Sequence, residues 1–158
     1  MKKMLIAAIS LIVAFFVYKA WELLQWYDAL NIVPSAKING IKDGKIKVNM
    51  TVALDNPKDF QIKITKPTIR IYSNGSLLTS SVPSGTKVLI APTGITYIDY
   101  ELLIPMNSEL ITMLISAGNN VYNRILNGES VTADLNIEVL AYFQVYGIER
   151  IYRENITI

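Results

Sequence analysis

Cysteine and histidine are both missing from these 158 residues. Without cysteine there is no disulfide, no thiolate metal ligand, no nucleophilic thiol and no acylated lipoprotein-type cysteine. Without histidine there is no Ser-His-Asp or Cys-His arrangement, no imidazole-bound zinc and no proton shuttle working near neutral pH. Glycine and proline are scarce, at eight and six residues, which argues against collagenous and low-complexity architectures. In their place the chain is rich in Ile, Val, Leu, Thr and Tyr, and 51% of it is apolar. That composition, over a length suited to one core, predicts a single folded domain.

The net charge is only +2, but it is unevenly laid along the chain. From Lys37 to Arg70 eight basic residues face three acidic ones, and from Val88 onward three basic residues face eight acidic ones. A basic first half could attract anionic headgroups or a polyanion. Strands interleaved from the two halves would instead mix both charge sets on one solvated surface. Lys outnumbers Arg and no recognition motif for nucleic acid is present, so no nucleic-acid partner is expected.

Lys2 and Lys3 precede an apolar run of fifteen residues, Met4 to Tyr18, with Ser10 its one polar interruption. At 1.5 Å per residue that run reaches roughly 22 Å, and extending it to Leu24 gives about 31 Å, the thickness of a bilayer core. The extension requires Lys19 to snorkel along its own stem. Trp21, Trp26 and Tyr27 then fall where an interfacial aromatic belt belongs. A secretory signal should end in a small-x-small cleavage site, whereas Tyr18-Lys19-Ala20-Trp21 follows here, so the reading is an uncleaved anchor with Lys2, Lys3, Lys19, Trp21, Trp26 and Tyr27 at the interfaces. Lysines on the short side place the N-terminus in the cytoplasm and the domain outside it. The helix is expected to continue through Leu23, Leu24, Tyr27 and Leu30 and to stop before Pro34. The division is therefore 1–33, anchor and juxtamembrane helix, and 34–158, folded domain.

From Lys45 the period becomes two: Ile46, Val48, Met50, Val52 and Leu54 alternate with smaller or polar residues, the pattern of a half-buried strand. Further strands are expected at Phe60 to Ile64, Thr68 to Tyr72, Ser76 to Val82, Thr86 to Ala91 and Ile95 to Ile104. Asn74-Gly75 supplies the positive φ angles of a tight hairpin turn. Between Asn107 and Leu126 an apolar stripe with helical spacing appears, with Asn107 or Ser108 as its cap and Gly118 as a break. Val131 to Tyr142 and Phe143 to Ile158 complete the strand set, with a bend near Gly147. The fold class is all-β: an immunoglobulin- or fibronectin-III-like β-sandwich with one inserted helix, preceded by an N-terminal membrane-anchor helix.

The strand Ile46 to Leu54 running into Asn56-Pro57, then Phe60, Ile62 and Ile64, then Ile71-Tyr72 with Asn74-Gly75, then a strand pair around Leu135 to Gly147, resembles the late embryogenesis abundant type 2 family. This family is also called the water stress and hypersensitive response domain. The resemblance spans roughly residues 36–158 and rests on the order and spacing of short motifs, of which Asn56, Pro57, Ile71, Tyr72, Asn74 and Gly75 are the structural markers. The helical insertion is longer than the family pattern. The resemblance implies a sandwich without an active site, associated with stress protection or membrane-proximal binding.

Little chemistry competes with that reading. Asp99 and Glu101 lie on one strand face, but acid–base work needs one of them desolvated. Asp55, Asn56 and Asp59 do not have the spacing of an EF-hand loop and read as turn caps. Pro83-Ser84-Gly85-Thr86 lacks the Lys-Ser/Thr end of a phosphate loop. Asn49, Asn74 and Asn155 match the glycosylation pattern at a chance frequency. No catalytic residue, cofactor or metal is assigned. The expected role is a membrane-tethered binding or protective module, contacting lipid through its helix and an unidentified protein through the domain. The alternative is a structural subunit of an envelope or virion assembly, its apolar helix packed against protein.

Overall fold

The computed structural model describes residues 2–131, 135–145 and 148–158, with the side chains at 2–12, 23, 27, 109, 130 and 148 outside that description. A helix, α1 (Lys2–Ala29), leads into nine strands. These are β1 (Asn31–Lys42), β2 (Lys45–Asn56), β3 (Ile62–Ser73), β4 (Ser76–Ser80), β5 (Lys87–Ile90), β6 (Gly94–Pro105), β7 (Ser130–Val131), β8 (Asn136–Val145) and β9 (Ile148–Thr157), with α2 (Ser108–Ser116) and α3 (Asn119–Leu126) between β6 and β7. One sheet runs β6-β2-β1-β7; the other runs β4-β3-β8-β9, with β5 also on β3. Every strand pairing among the described residues is antiparallel. The inward residues of both sheets, among them Val48, Met50, Val52, Ile64, Ile69, Val139 and Phe143, form one core, as period-two alternation requires. The all-β, sandwich-like architecture is thus observed.

The structure revises the element boundaries in three places. The segment Asn31–Lys42 is a twelve-residue strand, β1, where the sequence reading had the end of a helix. Pro34 obscures its alternation of buried Ile32 and Ile38 with exposed Val33, Ser35 and Lys37. A proline is tolerated where no ladder bond is lost: among the described residues the far side of β1 pairs with β7 at Ile38 and Asn39 and not at Pro34. The helix therefore stops at Ala29, and the expected boundary at 33/34 falls inside β1.

The two strands expected at 60–64 and 68–72 are one strand, β3, whose register to β8 shifts between Thr65 and Thr68. This bulge accommodates Pro67, which would otherwise remove a ladder bond. At the other end of the chain, β8 continues past Tyr142 to Val145, so the break expected between Tyr142 and Phe143 is displaced; Gly147 lies outside the described residues. The inserted helical segment is broken at Gly118, at the expected break, into the pair α2 and α3, and the φ of 127 there favours glycine.

Other expectations hold in detail. Asn74 and Gly75 have φ of 47 and 81, the two left-handed residues of a hairpin turn between β3 and β4. Asn107 caps α2 by accepting a hydrogen bond from Leu110 N at 2.9 Å.

Among the described residues, no helix is long and apolar enough to cross a membrane. The first part of the expected span, residues 4–12, has its side chains outside the description. From Val13 onward α1 is apolar on several sides at once: Val13, Phe15, Phe16, Val17, Tyr18 and Trp21 are all more than half exposed.

Candidate functional site

The most organised polar feature of the molecule sits where α1 meets the sandwich. β2 ends at Asn56, whose side chain is 0% exposed. A carboxamide in such a place must spend all its donors and acceptors on protein partners. It does so completely: Nδ2 donates to Phe60 O at 3.0 Å and to Ala91 O at 2.9 Å. Its Oδ1 accepts from Lys58 N at 3.0 Å and from Trp26 Nε1 at 2.9 Å.

Asn56 thus ties together the end of β2, the 57–61 loop, the segment after β5 and the last turns of α1. Thr93 N donating to Lys58 O at 2.7 Å adds a backbone bond between the same two loops.

Trp26 is the other half of this knot. The sequence reading placed it at a membrane interface; the structure corrects that, since Trp26 is 1% exposed and belongs to the sandwich core with Leu30. An indole is as suited to a core with one polar partner as to a headgroup layer, because both environments offer apolar contact and one acceptor. Leu30 N donates to Trp26 O at 2.9 Å, so the same helical turn carries both buried side chains directly into β1.

The remaining interface candidates divide. Trp21 is exposed. Lys19 is exposed, bonds to Glu22 at 2.6 Å one turn on, and lies 5.9 Å from the centre of the Tyr18 ring. Lys2 and Lys3 belong to the α1 backbone, and their side chains, like that of Tyr27, lie outside the described residues. Of the motif residues, Ile71 is core, Pro57 is exposed beside the knot, and Tyr72 is half-buried on the outer face of β3. The motif is therefore brought together only in part: Asn56-Pro57 is at the helix end, and Asn74-Gly75 is at the far end of β3.

The carboxylate pair points outward. Asp99 accepts from Thr51 Oγ1 at 2.6 Å. Glu101 is bracketed by Lys42 Nζ at 2.6 Å and Lys47 Nζ at 2.8 Å, and hydrogen bonds from Lys42, then Lys47, hold its carboxyl down at about 2. A carboxylate so stabilised stays ionised and cannot serve as a proton donor near neutrality. Asp55, Asn56 and Asp59 do not make a calcium cradle, because the Asn56 side chain is fully used internally. Among the described residues no three acidic side chains gather in a possible metal site.

Two open grooves flank the Ser81–Thr86 segment, of about 370 and 480 Å³, sharing Lys66 and Ser84. Lys66 bridges the sheets: its Nζ lies 4.5 Å above the Tyr100 ring and donates to Asp99 O at 3.0 Å. Tyr100 in turn donates to Pro67 O at 2.9 Å, and burial pushes its hydroxyl pKa up. Thr79 Oγ1 donates to Leu103 O at 2.9 Å. Together Lys66 and Thr79 occupy carbonyls of the β6 edge, which lessens its capacity to recruit another strand.

Sequence reasoning did not find the Trp26–Asn56 pair or the Lys66–Tyr100 bridge. A usable signal for the first was present: Trp26 and Leu30 stand four apart, one helical face running straight into a strand.

No family model matches the chain, and no curated protein matches it. Among solved structures it is similar to a protein from Archaeoglobus fulgidus, at 13% identity and a TM-score of 0.45, over 82% of this chain and 97% of that one. It is also similar to a solution structure from Arabidopsis thaliana, at 12% identity and a TM-score of 0.45, over 78% of each chain. A third likeness is to DesR, a beta-glucosidase from Streptomyces venezuelae in complex with D-glucose, at 12% identity and a TM-score of 0.28, over 80% of this chain and 15% of that one. At TM-scores below 0.5, none of these assigns a family or an activity.

Proposed function

We propose that this chain is a membrane-tethered, non-catalytic binding or protective module of the late embryogenesis abundant type 2 kind. Its sandwich would be immunoglobulin- or fibronectin-III-like, with the N-terminus in the cytoplasm and the domain outside it. The observation that carries this reading is the contrast within α1. Val13, Phe15, Phe16, Val17, Tyr18, Trp21 and Leu24 expose apolar and aromatic side chains, while Trp26, two residues after Leu24, is locked into the sandwich. Exposed apolar surface on several sides of a helix needs an apolar partner, and lipid is the one that covers a helix all round. In support of a non-catalytic role, the outward pair Asp99 and Glu101 is engaged by Thr51, Lys42 and Lys47, and the two grooves beside Ser81–Thr86 are open.

The test is fractionation of cells expressing the full chain with a C-terminal tag, followed by protease added outside the inner membrane. Retention in the membrane fraction together with digestion of the domain supports the reading. Recovery in the soluble fraction, or only within a large particle, overturns it and favours a structural subunit whose helix packs on protein.

A further inference from the structure

The outer face of the β6-β2-β1 sheet changes character along its strands, and the register makes the change explicit. Across the sheet the rows read Asn31–Asp55–Ile95, Val33–Ala53–Tyr97, Ser35–Thr51–Asp99 and Lys37–Asn49–Glu101. Lys42, Lys45 and Lys47 follow toward the far end. The row nearest the helix sets Asn31 and Asp55 beside Ile95, the next is apolar throughout, the middle row pairs two hydroxyls with Asp99, and the far rows carry Lys37, Lys47 and Glu101.

Val33 and Tyr97 of the apolar row are 49% and 65% exposed, and Ile95 of the row beside it is 51% exposed; Ala53 between them is half-buried. On the other sheet, exposed Leu89 pairs with Lys63 at the same end, and Pro57 and Pro92 are exposed in its loops.

This is also the end from which α1 leaves. β1 begins two residues after the helix ends, which puts Val33 about 7 Å from Asn31 at 3.3 Å per residue. The Trp26–Asn56 bond and the burial of Leu30 hold the last helical turns against the domain, so the row cannot swing away from the exposed apolar residues of α1. An apolar row set between polar rows close to the root of an apolar helix suits a water–lipid boundary, where Tyr is favoured because one end of its ring is apolar and the other wet.

We infer that the helix-proximal row Val33, Ala53, Tyr97, with Ile95, is a lipid-contact surface that seats the domain on the membrane holding α1. The inference rests on the tethered reading. A second copy is a poorer occupant: three exposed side chains and the half-buried Ala53 offer at most a few hundred Å², against the ~800 Å² per partner of a stable protein interface. This end carries Lys58 and Lys63 against Asp28, Asp55 and Asp59, with no excess of positive charge, so apolar contact rather than headgroup charge provides the attraction, and salt should leave it intact.

The absence of native cysteine allows clean labelling. Val33→Cys, Tyr97→Cys and, as a control on the same face, Asn49→Cys would each carry an environment-sensitive fluorophore in the full chain, reconstituted into phosphatidylcholine vesicles. Ile95→Cys replaces any variant whose circular dichroism departs from the parent. The expected result is a blue-shifted emission and several-fold weaker iodide quenching at 33 and 97 than at 49, unchanged by high salt. Equal quenching at all three sites, in protein that floats with the vesicles, overturns the lipid-contact surface and leaves the tether standing. Failure to float overturns both. Protection accompanied by a crosslink between position-97 cysteines of two chains overturns lipid as the occupant in favour of a second copy.

Discussion

At the helix-proximal end the sandwich is closed by one indole and one carboxamide, whereas at the far end α2 and α3 close it with Leu110, Leu114 and Ile125. The first closure is polar and directional: four hydrogen bonds converge on Asn56, and no described buried side-chain nitrogen or oxygen lacks a partner. The second is apolar, with Ser73 Oγ donating to Met113 Sδ at 3.0 Å as a minor polar contact. Directional closure fixes one geometry and fails abruptly when one partner is removed. Apolar closure depends on volume and loses stability in proportion to what is cut away.

The largest effect is expected from Asn56→Ala, which strips Phe60 O, Ala91 O, Lys58 N and Trp26 Nε1 of a partner together. At 1–3 kcal/mol per orphaned buried group, partly relieved by water, the loss should be about 4 kcal/mol, read by urea unfolding of the detergent-solubilised full chain. Leu114→Ala at the opposite end should cost about 3 kcal/mol through its cavity. The two substitutions share no partner, so their effects should add. A measured coupling above ~1 kcal/mol would break the picture of two independent closures.

Trp26→Phe keeps most of the buried ring and removes only the N–H, while Asn56 Oδ1 retains Lys58 N. A loss of about 1–2 kcal/mol is expected, and in a double-mutant cycle it should couple strongly to Asn56→Ala. With two tryptophans in the chain, Trp21→Phe leaves Trp26 as the only indole. Its emission should be that of a buried indole in the parent background and shift to the red with Asn56→Ala. Asn107→Ala, which removes the α2 cap, should cost about 1 kcal/mol.

The smallest effect concerns Glu101, exposed between Lys42 and Lys47 on the outer face of the sheet. Its folded pKa of about 2 lies below the ordinary 4.5. Its contribution is therefore present above pH 4.5 and is lost as pH falls through that value toward 2. Glu101→Gln should flatten the acid limb of a stability–pH profile in that window and leave the profile above pH 5 unchanged.

Several local features were readable from residues alone. The alternation from Ile46 to Leu54, the Asn74-Gly75 turn, the Asn107 cap and the break at Gly118 are each set by φ/ψ preference or period, which act over a few residues. Three others were not. β1 needed β2 beside it before Pro34 could be seen as an edge proline. β3 needed β8 and a bulge before Lys66-Pro67 could be read as strand. Trp26 needed Asn56, thirty residues away, before it could be told from a headgroup aromatic.

The amino-acid order by itself determined the β character of the domain, its hairpin turn, the apolar helix that precedes it and the exclusion of histidine and cysteine chemistry, because these follow from side-chain type and local spacing. Only the tertiary structure decided where the helix ends, which tryptophan is buried and which row of the sheet is left bare. Those outcomes depend on which partner each amphipathic side chain meets, and long-range pairing alone settles that.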